Sequence, residues 1–390
     1  MFYDIALTVA LILFGIGLIH KVDTWFIMHV GMGERDTRMA DRFKAGAKGV
    51  LGSIFSRKIV LIVKVFIVDV LLQVRILKDK QDPLAWVMHI LIFFGFMFLL
   101  LFHALASLIT VSIDPEFQST LNPYMFLRNL FGCLMAIGLI LAVIRRVVTM
   151  KGRITTNSAD IFVLILLALI LGSGFFLEGL KITSQDVFTD MVEDYAVNPE
   201  PEEVQALTAY WVEHYGLVSP NEQGPFAADI LAAGAEVNQD SCIECHARPQ
   251  SAFVSYTLSR LLKPMATGLD QAGLKTLVWY VHILASFLGL AYLAFGKMFH
   301  VIGTPLSLVV AEISNTSQGP VDAATRQMIE LDGCSHGGGC HEECPVRQRR
   351  MDRIDQSVPY TPMMVFLDEK SARELGSRQV NVPFGEWEKS

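Results

Sequence analysis

The sequence predicts an all-α integral membrane protein in which five helices cross the bilayer. Of its 390 residues, 52% are hydrophobic and only 18% are charged, and the mean hydropathy is +0.42. A helix needs about 20 apolar residues to cross the hydrocarbon core of a membrane. Five stretches are long and apolar enough for this, at 2–20, 84–112, 123–149, 158–180 and 276–301.

A sixth apolar stretch, 59–74, is shorter and contains Lys64 and Asp69. Charges inside an apolar helix favour a position in the membrane interface over a spanning one. We therefore predict an interfacial helix here, within the basic segment 21–83. The net charge of −7 and the absence of a basic stripe on a soluble domain argue against nucleic-acid binding.

The distribution of charge between the apolar stretches predicts the orientation of the chain. Lys and Arg are frequent in 21–83 and 145–153, whereas the long segment 181–275 begins with a run of acidic residues. Basic loops stay on the cytoplasmic side. We expect a multi-pass protein of the inner (cytoplasmic) membrane with its N-terminus outside. Four spans would lie in 1–180, an extracytoplasmic insertion in 181–275, and a cytoplasmic tail in 302–390.

Two of the predicted spans each carry a pair of histidines. His89 and His103 are 14 residues apart in the second span, and His282 and His300 are 18 apart in the fifth. Both gaps are close to whole numbers of helical turns, so each pair is expected on one helix face. Because the two spans run in opposite directions, His89 should meet His300 on the cytoplasmic side and His103 should meet His282 on the outer side. Paired intramembrane imidazoles are typical axial ligands of haem iron, so we predict two b haems.

Around these histidines the sequence resembles the nitrate-reductase gamma-subunit family of dihaem cytochromes b. The resemblance rests on Trp86-x-x-His89, on Trp279-x-x-His282 and on the 18-residue gap of the last span. The basic, apolar stretch 57–80 resembles the branch found in sulfate reducers, whose membrane cytochromes are associated with sulfite reductase or with a tetrahaem cytochrome. The resemblance implies a five-helix bundle and a cytoplasmic iron–sulfur partner similar to heterodisulfide reductase.

The outer segment contains a motif for covalent haem attachment, Cys242-Ile-Glu-Cys245-His246. In C-x-x-C-H the two thiols bind the haem and the histidine becomes an axial ligand. The upstream run 226–237 resembles the opening of a small cytochrome c. The alternative is a disulfide or a reduced pair of thiols. For the second axial ligand of this haem c the sequence favours His214, with Met191 and Met265 as alternatives.

The predicted cytoplasmic tail carries three cysteines and two histidines within eleven residues: Cys334, His336, Cys340, His341 and Cys344. Thiolate and imidazole groups together bind zinc or an iron–sulfur cluster. A docking loop with reduced cysteines is the alternative. Cys133 stands alone in an apolar helix and is expected to be a small buried residue.

These features predict an electron-transfer subunit of a quinone-linked oxidoreductase complex in an anaerobic respiratory chain. The expected cofactors are two b haems, one c haem and menaquinone, and the expected partners are the iron–sulfur subunit and an extracytoplasmic multihaem cytochrome c. The resembling family has its quinone site at the outer haem, near a basic residue that starts the third span. Arg128, with Asn129, holds that position here. The alternatives are a membrane anchor with structural haems and a transporter with a histidine proton relay.

Overall fold

The computed structural model describes residues 1–27, 38–77, 82–110, 118–149, 158–196, 199–313, 325–326, 328–330 and 332–333. Within these ranges every regular element is a helix and no strand is present. The predicted all-α membrane fold is confirmed.

Five of the described helices are long and apolar enough to cross a membrane. Their large apolar side chains are widely exposed, for example Ile165 at 62% and Leu277 at 59%. Such faces suit a lipid environment, in which a helix satisfies its own backbone hydrogen bonds. The five spans are Phe2–Ile27, Pro83–Ala104, Tyr124–Val148, Ser158–Thr183 and Leu274–Leu293.

The α-helices are numbered in chain order. They are α1 (Phe2–Ile27), α2 (Met39–Ile54), α3 (Lys58–Val65), α4 (Val74–Leu77), α5 (Pro83–Leu99), α6 (Ala106–Thr110), α7 (Tyr124–Ile144), α8 (Ser158–Thr183), α9 (Gln185–Tyr195), α10 (Pro201–His214), α11 (Ala228–Ser241), α12 (Phe253–Leu262), α13 (Ala266–Gln271), α14 (Leu274–Leu293) and α15 (His300–Ile313).

Three of these helices continue directly into a π-helical turn. The turns follow α3 at Phe66–Leu71, α5 at Leu100–Ala104 and α7 at Arg145–Thr149. In a π turn the hydrogen bonds join residues five apart, so the turn holds more residues than an α turn. Side chains beyond such a turn are therefore rotated from the positions that a regular α-helix would give them.

The predicted single helix over 276–301 is wrong beyond Leu293. There α14 ends, a short 3-10 turn follows at Lys297–Phe299, and α15 begins at His300. Gly296 lies at the break with an extended backbone, and the Tyr292 ring folds against it. Glycine is a poor helix former and leaves room for this ring. His282 and His300 are thus on two different helices.

The chain divides into two compact units. The first comprises Met1–Ala6, Leu84–Thr149 and Phe162–Gly289, and the second comprises Leu7–Pro83, Met150–Ile161 and Leu290–Ser390. Each of them contains part of the predicted functional machinery, and they are described separately.

In the first unit, small residues bring membrane helices close together. A Cβ at Gly95 of α5 would lie 2.7 Å from the Cβ of Met135 on α7, and one at Gly138 of α7 would lie 2.7 Å from Ile92 on α5. Outside the spans, α9 to α13 form a helical domain. Its core contains Phe188, Val192, Leu207, Leu217 and Cys242.

In the second unit, α1, α3 and α15 pack with the residues that precede the tail cysteines. One cluster joins Trp25 of α1, Phe299, Met328 and Ile329. Another joins Leu308 of α15 to Val65 and Val70 of the stretch 59–74. That stretch is not among the five candidate spans of the described residues, and its interfacial position stays a prediction.

Candidate functional site

The predicted outer histidine pair is brought together in the first unit. His103 lies in the π turn after α5 and His282 lies in α14, and their ring centroids are 6.2 Å apart with a 48° angle between the planes. An imidazole nitrogen binds a metal at about 2 Å, and each ring centroid lies about 1 Å behind its nitrogen. Two imidazoles on opposite sides of one iron therefore have centroids roughly 6 Å apart, so this pair fits bis-histidine haem ligation.

The His282 ring is held by hydrogen bonds on one side only. Its Nδ1 lies 3.0 Å from the carbonyl oxygen of Ile170 and 3.1 Å from Oγ of Ser173, both on α8. Because a carbonyl oxygen only accepts, Nδ1 carries the proton and Nε2 keeps a free lone pair. This is the usual arrangement of an imidazole that binds a metal. Gly174 allows the ring to lie against α8, since a Cβ there would be 3.1 Å from Cε1 of His282.

The π turn at His103 is a feature that sequence spacing did not reveal. Leu105 donates its backbone N–H to the carbonyl oxygen of Leu100, five residues earlier, at 2.9 Å. The regular helix assumed between His89 and His103 is therefore interrupted just before His103. Single π turns within α-helices occur frequently at functional sites. Here the turn lies where His103 meets His282.

His300 has the same local arrangement as His282, in the second unit. It is the first residue of α15, and its Nδ1 lies 2.6 Å from the carbonyl oxygen of Lys297. Lys297 is itself held by an ion pair with Asp160 at 2.9 Å. The His300 ring thus has a fixed orientation, and its role as a haem ligand stays a prediction. His89 lies in α5, and its pairing with His300 stays a prediction.

Arg128 and Asn129 lie at the start of α7 and share one partner, Glu178 of α8. Arg128 forms an ion pair with Glu178, and the Asn129 amide donates to the same carboxylate at 2.8 Å. The side-chain oxygen Oδ1 of Asn129 accepts the backbone N–H groups of Val254 and Ser255, each at 3.2 Å. Asn129 is fully buried. Sequence reasoning missed Glu178, whose signal was an acid near the end of an apolar span.

The charges of this network act on the outer histidines. Arg128, Glu178 and Lys181 all interact electrostatically with His103, and Lys181 also interacts with His282. The predicted quinone residues and the outer haem ligands therefore lie in one region of the first unit.

The C-x-x-C-H motif follows directly on α11. Cys242 caps the helix and is buried, and its carbonyl oxygen accepts the N–H of Cys245 at 3.2 Å and of His246 at 2.9 Å. Both thiols are free. Burial, with a smaller contribution from Cys245, raises the pKa of the Cys242 thiol to about 11. A redox-active dithiol needs a lowered thiol pKa, so this site does not have the character of one.

An aromatic side chain of α10, Trp211, packs against the histidine of the motif. The Trp211 and His246 rings lie edge to face with their centroids 6.2 Å apart, and the indole N–H of Trp211 donates to the side chain of Asn238 at 2.9 Å. Burial lowers the pKa of His246, which favours the neutral imidazole that binds metals. Apolar surroundings, two free thiols and a neutral imidazole fit a covalent haem.

The three candidates for the second axial ligand lie in different surroundings. His214 is exposed at the end of α10, with its ring 4.7 Å from that of Tyr210. Met191 packs against the core cluster that contains Cys242. Met265 is 57% exposed. The preference for His214 stays a prediction, and Met191 packs against the same core cluster as the Cys242 side chain.

The segment before α7 connects the motif to the membrane helices of the same unit. Thr120 donates its hydroxyl to the carbonyl oxygen of Cys245 and accepts the N–H of Ala247 at 3.1 Å. Ser119, the preceding residue, accepts a hydrogen bond from Arg128 at 3.3 Å. One short segment thus contacts both the C-x-x-C-H motif and the network at the outer histidines.

The tail cluster Cys334, His336, Cys340, His341 and Cys344 lies outside the described residues. The residues just before it are firmly held in the second unit. Asp332 accepts hydrogen bonds from Trp25 at 2.6 Å and Lys21 at 2.9 Å, and Gly333 accepts one from Thr304 at 2.6 Å. Within the described ranges no group of three or more His, Cys, Asp or Glu residues is suited to hold a metal ion.

Comparison with known proteins gives one family match and several relatives. The family model is HdrE, the E component of dihydromethanophenazine:CoB–CoM heterodisulfide reductase, and it matches residues 63–212. The HdrE protein of Methanosarcina thermophila is 30% identical over 144 residues, which are 35% of this chain and 51% of the relative. That of Methanosarcina acetivorans is 31% identical over 126 residues, 31% of this chain and 47% of the relative.

A second kind of relative matches more of the chain. The EtfAB:quinone oxidoreductase of Syntrophomonas wolfei is 20% identical over 323 residues, 78% of this chain and 38% of the relative. The chain thus spans about half the length, or less, of the curated relatives it matches. No solved structure gives a significant match. These similarities support a multi-pass membrane protein of electron transfer, whereas the nitrate-reductase-like and sulfate-reducer assignments stay predictions.

Proposed function

We propose that this chain is the membrane electron-transfer subunit of a quinone-linked oxidoreductase complex, and that it holds two b haems and one c haem. The observation that carries the proposal is the His103–His282 pair, whose centroid separation of 6.2 Å fits two imidazoles on one iron. The similarity to a heterodisulfide reductase component and to a quinone oxidoreductase supports the same class of function.

His103 and His282 would hold the outer b haem through their imidazole nitrogens. Ile170 and Ser173 hold the His282 ring in the tautomer that leaves Nε2 free. When bound, haem iron supplies one-electron chemistry at a potential set by its ligands and surroundings. The protein contributes ligation, orientation and a low-dielectric site.

At the inner b haem, His300 and His89 are the proposed ligands. The hydrogen bond between Nδ1 of His300 and the Lys297 carbonyl supports this role, because it fixes the orientation of the ring. In the proposed orientation this haem is on the cytoplasmic side, with the N-terminus outside and the C-terminus inside.

At the c haem, Cys242 and Cys245 are the attachment thiols and His246 is the proposed axial ligand. The apolar cluster around Cys242 supports the proposal, because a covalently attached haem needs apolar surroundings at its thiols. The proposed partner here is an extracytoplasmic multihaem cytochrome c. The link through Thr120 supports exchange with the outer b haem, because it ties the motif to the start of α7.

On the cytoplasmic side the proposed partner is an iron–sulfur subunit of the heterodisulfide reductase type. Cys334, Cys340 and Cys344, with His336 and His341, are proposed to bind zinc or an iron–sulfur cluster at this contact. The anchoring of Gly333 by Thr304 of α15 supports the location, since it fixes the start of the cysteine segment one turn from His300.

Menaquinone is the proposed membrane substrate, and it would exchange electrons with the outer b haem. Arg128 and Asn129 are the site predicted from the sequence. Their electrostatic and hydrogen-bonded network at His103 supports a polar quinone environment in this region.

The proposal is tested by counting haems in the purified full-length chain. Pyridine haemochrome spectra are expected to give two b haems and one c haem per chain. The double variant Cys242→Ser with Cys245→Ser should lose the haem that stays with the polypeptide on a denaturing gel, whereas Cys133→Ser should retain it. A protein without b haems would overturn the proposal. Haems that a menaquinol analogue fails to reduce at a competent rate would leave only the membrane-anchor alternative.

A further inference from the structure

We infer that an open cleft between α8 and α14 binds the quinone headgroup beside the outer haem ligands. The cleft has a volume of about 430 Å³ and lies within the first unit. That volume is in the range of small-molecule sites, which are about 300–1,000 Å³. The inference rests on the proposed function, and it names the binding place of the membrane substrate.

The walls of the cleft suit a flat, apolar ring. Apart from one hydroxyl, its side chains are apolar, and they include Phe176 on α8 and Leu277 and Val281 on α14. Leu277 is 59% exposed, so this side faces the membrane and not the protein interior. A lipid-soluble quinone can enter such a cleft from the bilayer, and an aromatic side chain offers its ring a stacking partner.

The hydroxyl is that of Ser173, which also contacts His282. Ser173 Oγ lies 3.1 Å from Nδ1 of His282 and donates to the carbonyl oxygen of Ile170 at 3.1 Å. A serine hydroxyl donates one hydrogen bond and accepts up to two. It can therefore turn to donate to a quinone oxygen and still accept from His282. One residue would then join the quinone headgroup to a ligand of the outer haem.

The cleft carries this role better than the side chains of Arg128 and Asn129. Asn129 is fully buried with both ends of its amide bonded, and Arg128 is paired with Glu178. These groups are occupied within the protein. The cleft is open and its hydroxyl can exchange partners, so we place the headgroup there and treat the Arg128 network as the neighbouring polar environment.

Gly172 provides a steric test of the cleft. It lines the cleft, and a Cβ built on it meets no atom within 4 Å. A large side chain at this position fills the cleft without disturbing the packing behind it. Gly15 of α1 is a matched control, because it is also a glycine of a membrane helix with open space around its Cβ position.

The experiment measures binding of an alkylhydroxyquinoline N-oxide, a quinol analogue, to the full-length protein in detergent. Gly172→Phe should weaken binding at least about tenfold, and Leu277→Trp, which fills the cleft from α14, should act similarly. Ser173→Ala should weaken binding roughly fivefold, as expected for one lost hydrogen bond. Haem content should be unchanged in Gly172→Phe and Leu277→Trp, because the hydrogen bonds to His282 come from Ile170 and Ser173. For Ser173→Ala, binding is expressed per bound haem. Gly15→Phe should bind as the wild type does.

The outcomes separate the two proposals. Wild-type affinity in Gly172→Phe and Leu277→Trp with normal haem content would overturn the cleft site, as would loss of binding in Arg128→Gln alone. A haem-containing wild-type protein that does not bind the analogue would also overturn it and would mark the cleft as a lipid groove. A protein without b haems would instead overturn the proposed function.

Discussion

At the residue scale, two of the proposed haem ligands have the same hydrogen-bond arrangement. His282 and His300 each present Nδ1 to a backbone carbonyl oxygen, of Ile170 and Lys297 respectively. An imidazole that must donate from Nδ1 keeps its Nε2 lone pair for a metal. This shared geometry supports the proposal that both histidines are haem ligands.

Replacement of His282 tests this at the residue scale. His282→Ala removes one axial nitrogen of the outer b haem, so the b-haem content measured by pyridine haemochrome should fall from two per chain to one. His20→Ala, on an exposed face of α1, should retain both. Two b haems at full occupancy in His282→Ala would contradict the assignment.

Glu178 is a residue of the candidate site that the sequence did not indicate. Its carboxylate receives both Arg128 and Asn129, and Asn129 in turn binds the start of α12. The sequence indicated the two donors because a resembling family has a basic residue there. It did not indicate the acceptor, 49 residues away from Asn129, because their proximity depends on how α7 packs against α8.

Helix interruptions determine the positions of the histidines at the element scale. The π turn after α5 contains His103, and the break after α14 makes His300 the first residue of a new helix. Residue spacing assumes regular helices, so it predicted that His282 and His300 share one helix, whereas the structure places them on two. Gly296 was a visible signal for the break, whereas the π turn had no comparable signal in the sequence.

The close packing of α5 against α7 is a second property at the element scale, and a substitution at Gly95 tests it. A Cβ at Gly95 would lie 2.7 Å from the Cβ of Met135, so the side chain of Gly95→Leu cannot fit without displacing Met135. Overpacking of this kind lowers the free energy of unfolding by about 1–3 kcal/mol. The thermal unfolding midpoint in detergent should fall, and b-haem retention should fall with it. Gly15→Leu, which has open space, should leave both unchanged, and an equal loss in both variants would contradict the packing argument.

At the scale of the whole molecule, side chains of α1 and α2 hold the residues that precede the tail cysteines. Asp332 accepts hydrogen bonds from Trp25 and Lys21, and Arg42, which is 1% exposed, donates to the Trp25 carbonyl and to Thr325. From the sequence, Lys21 and Arg42 are interpreted only as positive charges that set the orientation of the chain in the membrane. In the second unit they also anchor the residues around 325–333.

Removal of this anchor should free the tail. Asp332→Ala deletes two hydrogen bonds, each worth about 1 kcal/mol, so local opening should rise roughly thirtyfold. Limited trypsin digestion should then cleave after Arg326 correspondingly faster, and the association with an iron–sulfur partner should weaken. Asp23→Ala on α1 is the control. Unchanged digestion in Asp332→Ala would show that the anchor does not restrain the tail.

The sequence alone determined the all-α membrane class, the number of spans, the histidine pairs and the C-x-x-C-H motif. These depend on composition, on apolar length and on residue types whose chemistry is local. Only the tertiary structure decided that His103 and His282 meet, that Glu178 joins Arg128 to Asn129, and that Ser173 lies between His282 and a cleft. Such contacts arise from packing between helices distant in the chain, which depends on small residues, breaks and π turns that no local pattern specifies.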